Sequence, residues 1–173
     1  MAFVTANYDR RAAVSYANRW AYFRNPDFYD FSDVGGDCTA FISQCLLAGG
    51  AVMNFTPTYG WYYRSSDDRT ASWTGVQYFY DFITQNEGVG PFGSDVPIAR
   101  MRIGDVIQLI TGDETEFHHT VIVTEVRGFI PSINNIIVAA HSYDCACRPL
   151  SSYDIKSARF IHIDGIRIDS DMI

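Results

Sequence analysis

The residues able to do chemistry in this 173-residue chain are four cysteines, at 38, 45, 145 and 147, and four histidines, of which His118, His119 and His141 draw notice. Cys38 follows Gly35-Gly36-Asp37 and opens a pattern in which Phe41, Ile42 and Cys45 share one apolar face before Gly49-Gly50, which predicts a helix with Asp37 as N-cap. A thiol in the first turn meets unpaired backbone N–H groups and the positive end of the helix dipole. Its thiolate is therefore more accessible than that of a free cysteine, whose pKa is about 8.5. This is where a nucleophile would sit, although a small buried cysteine can also begin a helix. Cys45 lies deep on the apolar face and reads as packing.

His118-His119 begin an alternating run of β-branched residues, and His141 ends another apolar run, Ile136 to Ala140. If the two strands are antiparallel neighbours, the start of one lies beside the end of the other, and His119 meets His141. Only one of His118 and His119 can face the cysteine, because successive strand residues point to opposite faces. A Cys–His–His set would let one imidazole take the thiol proton while the second polar group fixes its ring and tautomer.

The elements that must position these groups follow in order. Tyr8 to about Phe23 is an amphipathic helix capped by Asp9 and ended by Asn25-Pro26. A loop over 26–37, in which Tyr29 is the residue to watch, delivers the chain to the cysteine helix. Residues 54–73 lack periodicity and carry Tyr59, Trp61, Tyr62, Tyr63 and Trp73. These aromatics line a substrate wall or simply fasten the loop to the core. Thr74-Gly75-Val76-Gln77 has capping-box form and introduces a helix to about Asn86. Strands are expected over Val106–Ile110, His119–Val126, Ile136–Ala140 and Arg159–Ile163. Helices first and an antiparallel sheet second is an α+β order, within a single domain over 1–173.

Composition narrows the partners. Thirteen Lys plus Arg against 20 Asp plus Glu give a net charge of -7, which disfavours nucleic acid. No apolar run reaches the length of a membrane span, and the first residues lack the basic and hydrophobic regions of a signal peptide. The expected place is the cytoplasm, or the cell envelope or exterior if the chain is a processed domain. Aromatic residues make up 15%, with 11 tyrosines and 12 phenylalanines, enough for an aromatic-walled cleft or a core built on large rings. Cys38 and Cys45 would stand roughly 10 Å apart along a helix, beyond disulfide reach. Cys145-Ala146-Cys147 lacks the paired spacings of a zinc site. No cofactor is called for, and a monomer is expected.

Gly36-Asp37-Cys38-Thr39-Ala40-Phe41-Ile42-Ser43-Gln44-Cys45-Leu46, with Tyr8 to Ala17, Ser72 to Val76, Gly104 to Gln108 and His118 to Thr124, resembles the putative amidase domain of bacterial secreted proteins. That domain is related to the NlpC/P60 and CHAP cysteine peptidases of the papain-like superfamily, and the resemblance spans about Tyr8 to Ile163. It implies a papain-like α+β fold with N-terminal helices packed on a C-terminal antiparallel sheet. It also implies that Asp37-Cys38-Thr39 opens the nucleophile helix, that His119 rather than His118 is the catalytic histidine, and that His141 is the third polar residue, with Asp144 as fallback. The strand connection carries extra residues over 127–135, a departure from the family pattern. The implied activity is cysteine-dependent hydrolysis of amide bonds in bacterial cell-wall peptides. The residues themselves put the Cys38 N–H at the oxyanion and, from its place upstream of the cysteine, Tyr29 beside it, with Asp37, Trp61, Tyr62, Trp73 and His118 as substrate-side candidates. Two other readings use the same features: a binding module that holds glycan or peptide on the aromatic loop 59–73, and an acyltransferase in which an amine replaces water.

Overall fold

The computed structural model describes residues 2–172. Its elements run β1 (Phe3–Ala6), α1 (Arg10–Trp20), α2 (Cys38–Ala48), α3 (Ala71–Thr74), α4 (Val76–Gln85), β2 (Gly90–Asp95), β3 (Val106–Thr111), β4 (His119–Val126), β5 (Ile136–Ala140), β6 (Cys145–Pro149) and β7 (Ile155–Asp169). The strands form one antiparallel sheet in the order β1-β7-β3-β4-β5-β6, with β2 also on β7. The α+β order is thus present. β1, β2 and β6 carry no alternation of apolar residues and escape pattern reading, while β7 runs well beyond 159–163.

The sheet has apolar residues on both faces. On one, Ile122, Ala139 and Ile161 pack with Phe41, Ile42, Trp61, Trp73 and Phe79 of the helices. On the other, Ile107, Leu109, Val121, Val123, Val138 and Ala140 close a second core under Leu150. This division follows from strand alternation, and it also decides which face each histidine takes.

Helix α2 is buried all round, from Cys38 to Leu46, and not along a single stripe. Its polar residues are tolerated because each has a partner. Thr39 Oγ1 and Thr120 Oγ1 are 2.9 Å apart, Ser43 Oγ donates to the Trp73 carbonyl at 2.9 Å and accepts from Trp61 Nε1 at 3.0 Å, and Gln44 Oε1 accepts from the Tyr16 hydroxyl at 2.7 Å. Asp9 caps α1 as expected, accepting from the Ala12 N–H. The capping box at Thr74 does not form: Gly75 stands at the N-cap of α4, and the Thr74 hydroxyl accepts from Arg69.

The motif Gly104-Asp105 proves to be a structural pin. Buried Asp105 accepts from Arg10 Nη1 at 2.6 Å, the Arg102 N–H at 2.7 Å, His162 Nδ1 at 2.8 Å and the Ile163 N–H at 3.1 Å. It ties α1 to β3 and β7 at a distance from the cysteine. No helix among the described residues is long and apolar enough to cross a membrane.

Candidate active site

Two tight turns bring the cysteine to the sheet. Gly35 and Gly36 have φ of 85° and 101°, in the region that favours glycine. Just after β5, Ser142 and Tyr143 also take positive φ, 59° and 66°, a strained conformation that neighbouring structure must hold in place. The Asp37 N–H donates to Ser142 Oγ at 3.3 Å, joining the two turns. Between them opens a cleft of about 470 Å³, whose lining includes Cys38, His118, His119, Arg148 and Tyr153.

Asp37 occupies the N-cap position of α2, but its side chain makes no cap bond. Its carboxylate instead accepts from the Phe31 N–H at 3.0 Å and lies 2.6 Å from His141 Nδ1. The Asp37 side chain therefore leaves the first N–H groups of α2 uncapped, and the Thr39 N–H faces the Cys38 sulfur.

Cys38 is almost fully buried, with Sγ 3.9 Å from the His118 carbonyl and 3.8 Å from Thr39 Oγ1. Burial pushes its thiol up, and the neighbouring Asp37 charge adds to this, whereas hydrogen bonds from Thr120 and Thr39 act the other way. The expectation of an accessible thiolate at the helix start is thus reversed: desolvation outweighs the dipole. The resting group is a buried thiol between the His118 carbonyl and the Thr39 hydroxyl.

His119 is equally enclosed, 7% exposed. Burial, with the positive fields of His118 and Arg148, lowers its pKa to about 4. Neither ring nitrogen makes a hydrogen bond among the described residues, and Nε2 is a buried polar atom without a partner. The Tyr153 ring stands 5.8 Å away, centre to centre. His119 is therefore a neutral imidazole with both nitrogens unengaged; its side chain takes the sheet face opposite α2, and the cleft at the start of β4, not a hydrogen bond, is what it shares with Cys38.

His141 does not orient His119, contrary to the expected Cys–His–His set. By strand alternation His119 shares the face of Val121 and Val123, while His141 lies on the helix face, stacked on Phe41 at 3.8 Å. Its Nε2 donates to the Trp20 carbonyl at 2.8 Å, which leaves Nδ1 for Asp37. Both nitrogens are spent. The fallback Asp144 is paired with Arg24, at 3.0 and 3.2 Å. A complementary position at two strand ends brings backbones together, but an odd register offset sends the side chains to opposite faces.

Other expected site residues separate in the same way. His118 lines the cleft with its ring held by the Glu116 carbonyl and the Thr111 hydroxyl. Tyr29 is outside the cleft lining, with its N–H on the Tyr63 hydroxyl and its ring against Phe31. Trp61 and Trp73 are fully buried, with rings tilted against each other at 4.9 Å, and Tyr62 bonds Asp68 on the same outer loop. The loop aromatics thus fasten the loop rather than wall the cleft. The walls come from Ser142, Tyr143, Arg148 and Tyr153. Pattern reading missed them because β6 has no alternation and the tight turn at Ser142-Tyr143 contains no glycine to announce it.

Residues 7–163 match the model of the family described as "Putative amidase domain". Over 151 residues, 85% of this chain, the sequence is 37% identical to Uncharacterized protein YhbB of Bacillus subtilis (strain 168), of which the match covers 45%. The chain thus spans about half the length of that curated relative. No solved structure matches it.

Proposed function

The chain belongs to the putative amidase domain family, and from that premise we propose that it hydrolyses amide bonds through a Cys38–His119 dyad. The observation that carries this reading is one cleft lined by a thiol at an uncapped helix start and by an imidazole with no other bond to make. His119 takes the thiol proton as Cys38 Sγ attacks the amide carbonyl, and the first-turn N–H groups of α2, Cys38's among them, receive the oxyanion. His119 then gives its proton to the nitrogen as the C–N bond breaks, the amine leaves, and a thioester remains. Water, deprotonated by His119, attacks the thioester and restores the thiol. The low basicity of His119 makes its imidazolium a strong acid for the leaving amine but a weak base for the raised Cys38 thiol, so the thiol proton moves as Sγ attacks rather than before it.

Within this reading the fold is of the NlpC/P60 and CHAP kind, and the substrates are peptides of the bacterial cell wall, met at the cell envelope. His141 is a positioning group, which holds Asp37 and through it the residue next to the nucleophile. Burial of Trp61 and Trp73 disfavours a glycan platform on loop 59–73. Transfer to an amine uses the same thioester, and the ratio of hydrolysis to aminolysis with added amine separates it.

The test is turnover of purified muropeptides followed by mass spectrometry. Wild type releases new amines, whereas Cys38→Ala and His119→Ala lose at least about a thousandfold in rate. Full activity in either folded variant overturns the dyad. Untouched muropeptides alongside cleavage of simple peptide amides would move the substrate class elsewhere.

A further inference from the structure

Arg148 is a cation placed for a ligand that the protein itself does not supply. It lies in β6, opposite Val138, and so takes the sheet face that holds Val121, Val123 and His119. Its guanidinium carbon sits 3.6 Å from the centre of the Tyr153 ring, while Tyr153 stands 5.8 Å from His119, so Tyr153 neighbours both residues within the cleft lining. The head is clamped: Nε donates to Ser152 Oγ at 2.9 Å and Nη2 to the Ser152 carbonyl at 3.4 Å. Stacking and clamping remove most of its rotamer freedom, which preorganises the remaining N–H groups.

Those remaining donors have no partner among the described residues. Arg10, Arg24, Arg64 and Arg127 each meet a carboxylate, but no ion pair there includes Arg148. The other charged residue of the cleft lining is Asp154, whose carbonyl accepts from the Gly112 N–H at 3.0 Å. That bond fixes the Asp154 backbone beside Gly112, and among the described residues no ion pair joins its carboxylate to Arg148. A fixed guanidinium in a partly enclosed site selects a planar anion, and carboxylate is the one that an amide substrate most readily carries.

Resting on the amidase reading above, we propose that Arg148 is a specificity residue that receives a carboxylate on the leaving-amine side of the scissile amide. The side follows from the sheet faces. His119 hands its proton to the departing nitrogen, and Arg148 shares its face and its Tyr153 neighbour, whereas the oxyanion donors at the start of α2 serve the carbonyl. The substrate class is an amide whose amine half is an amino acid or short peptide with a free carboxylate. Burial is the main cause of the low basicity of His119, with the fields of His118 and then Arg148 adding to it, so a carboxylate bound at Arg148 offsets only the last and smallest of these.

The test uses two alkylating reagents that differ only in charge, N-iodoacetylglycine and N-iodoacetylglycinamide. Both form a C–S bond at Cys38 with loss of iodide, and mass spectrometry reads labelling of each cysteine separately. Exposed Cys147 supplies the reagents' intrinsic rate ratio. At Cys38 in wild type, the acid-to-amide ratio exceeds that at Cys147 by about tenfold or more, the scale of a charge-assisted contact. Arg148→Gln brings the two ratios together, and Arg148→Lys, which keeps the charge without the fork, retains part of the preference. Equal ratios at Cys38 and Cys147 in wild type, or an unchanged preference in folded Arg148→Gln, overturn the assignment while the dyad stands. If Cys38 alkylates at the same rate in His119→Ala as in wild type, the dyad falls and the proposal with it.

Discussion

Cys38 and His119 rest as neutral groups because both are buried, and the two shifts define when the dyad works. His119 accepts a proton only while unprotonated, so activity is lost as pH falls through its folded pKa of about 4, well below the ordinary value of about 6.5. The expected kcat/KM profile therefore keeps its activity through pH 5 and 6, where a solvent-exposed histidine base would have failed. An acid limb centred near 6.5 would mean that His119 is solvated in the working enzyme. Burial of the thiol likewise predicts that Cys38 alkylates slowly at neutral pH for a catalytic cysteine, and that His119→Ala slows it further. The residue types and their order were legible in the sequence. The balance between dipole and desolvation at Cys38 was not, because it depends on Thr120 and His118 arriving from a strand about 80 positions away.

The start of α2 is held from outside the helix. Asp37 joins the helix to His141 after β5, His141 reaches the last turn of α1 through the Trp20 carbonyl, and Ser142 receives the Asp37 N–H. Removing one partner from such a buried pair leaves the other uncompensated. Asp37→Asn is expected to lower unfolding stability by roughly 3 kcal/mol in chemical denaturation, and to reduce kcat more than KM because it loosens the nucleophile turn. The positions of α1, α2, α4, β3, β4 and β5 could be read from periodicity, since each has an apolar face or run. The pairing of His119 with His141 could not. Strand order brings their backbones close, but side-chain direction depends on register, and a single-residue offset reverses it. Asp37 shows the same limit: its position fits an N-cap, yet a buried imidazole competes for the carboxylate and wins.

Across the whole molecule the two cores lock the sheet from both faces, and the large aromatics belong to this framework. Trp61 donates its Nε1–H to Ser43 on α2 while filling the core. Trp61→Ala is expected to cost about 3–5 kcal/mol in unfolding stability, whereas Tyr59→Ala, at a largely exposed ring, leaves the melting temperature nearly unchanged. His119 also couples the site to global stability. The unfolded chain protonates this imidazole near the ordinary value of about 6.5 and the folded protein only near 4, so stability is full above the first and declines as pH falls toward the second. The decline is roughly 3 kcal/mol, and denaturant titrations at several pH values should find it reduced in His119→Gln. An aromatic-rich chain told of large rings but not of their address, since a loop without periodicity can be a wall or a wedge, and only tertiary packing distinguishes them. The short bond between Asp37 and His141 has one more use. A hydrogen bond of 2.6 Å between two almost fully buried groups is expected to protect its proton from exchange with water and to move its proton NMR signal downfield. That single signal would report, without any substrate, whether the nucleophile turn is intact in each variant proposed above.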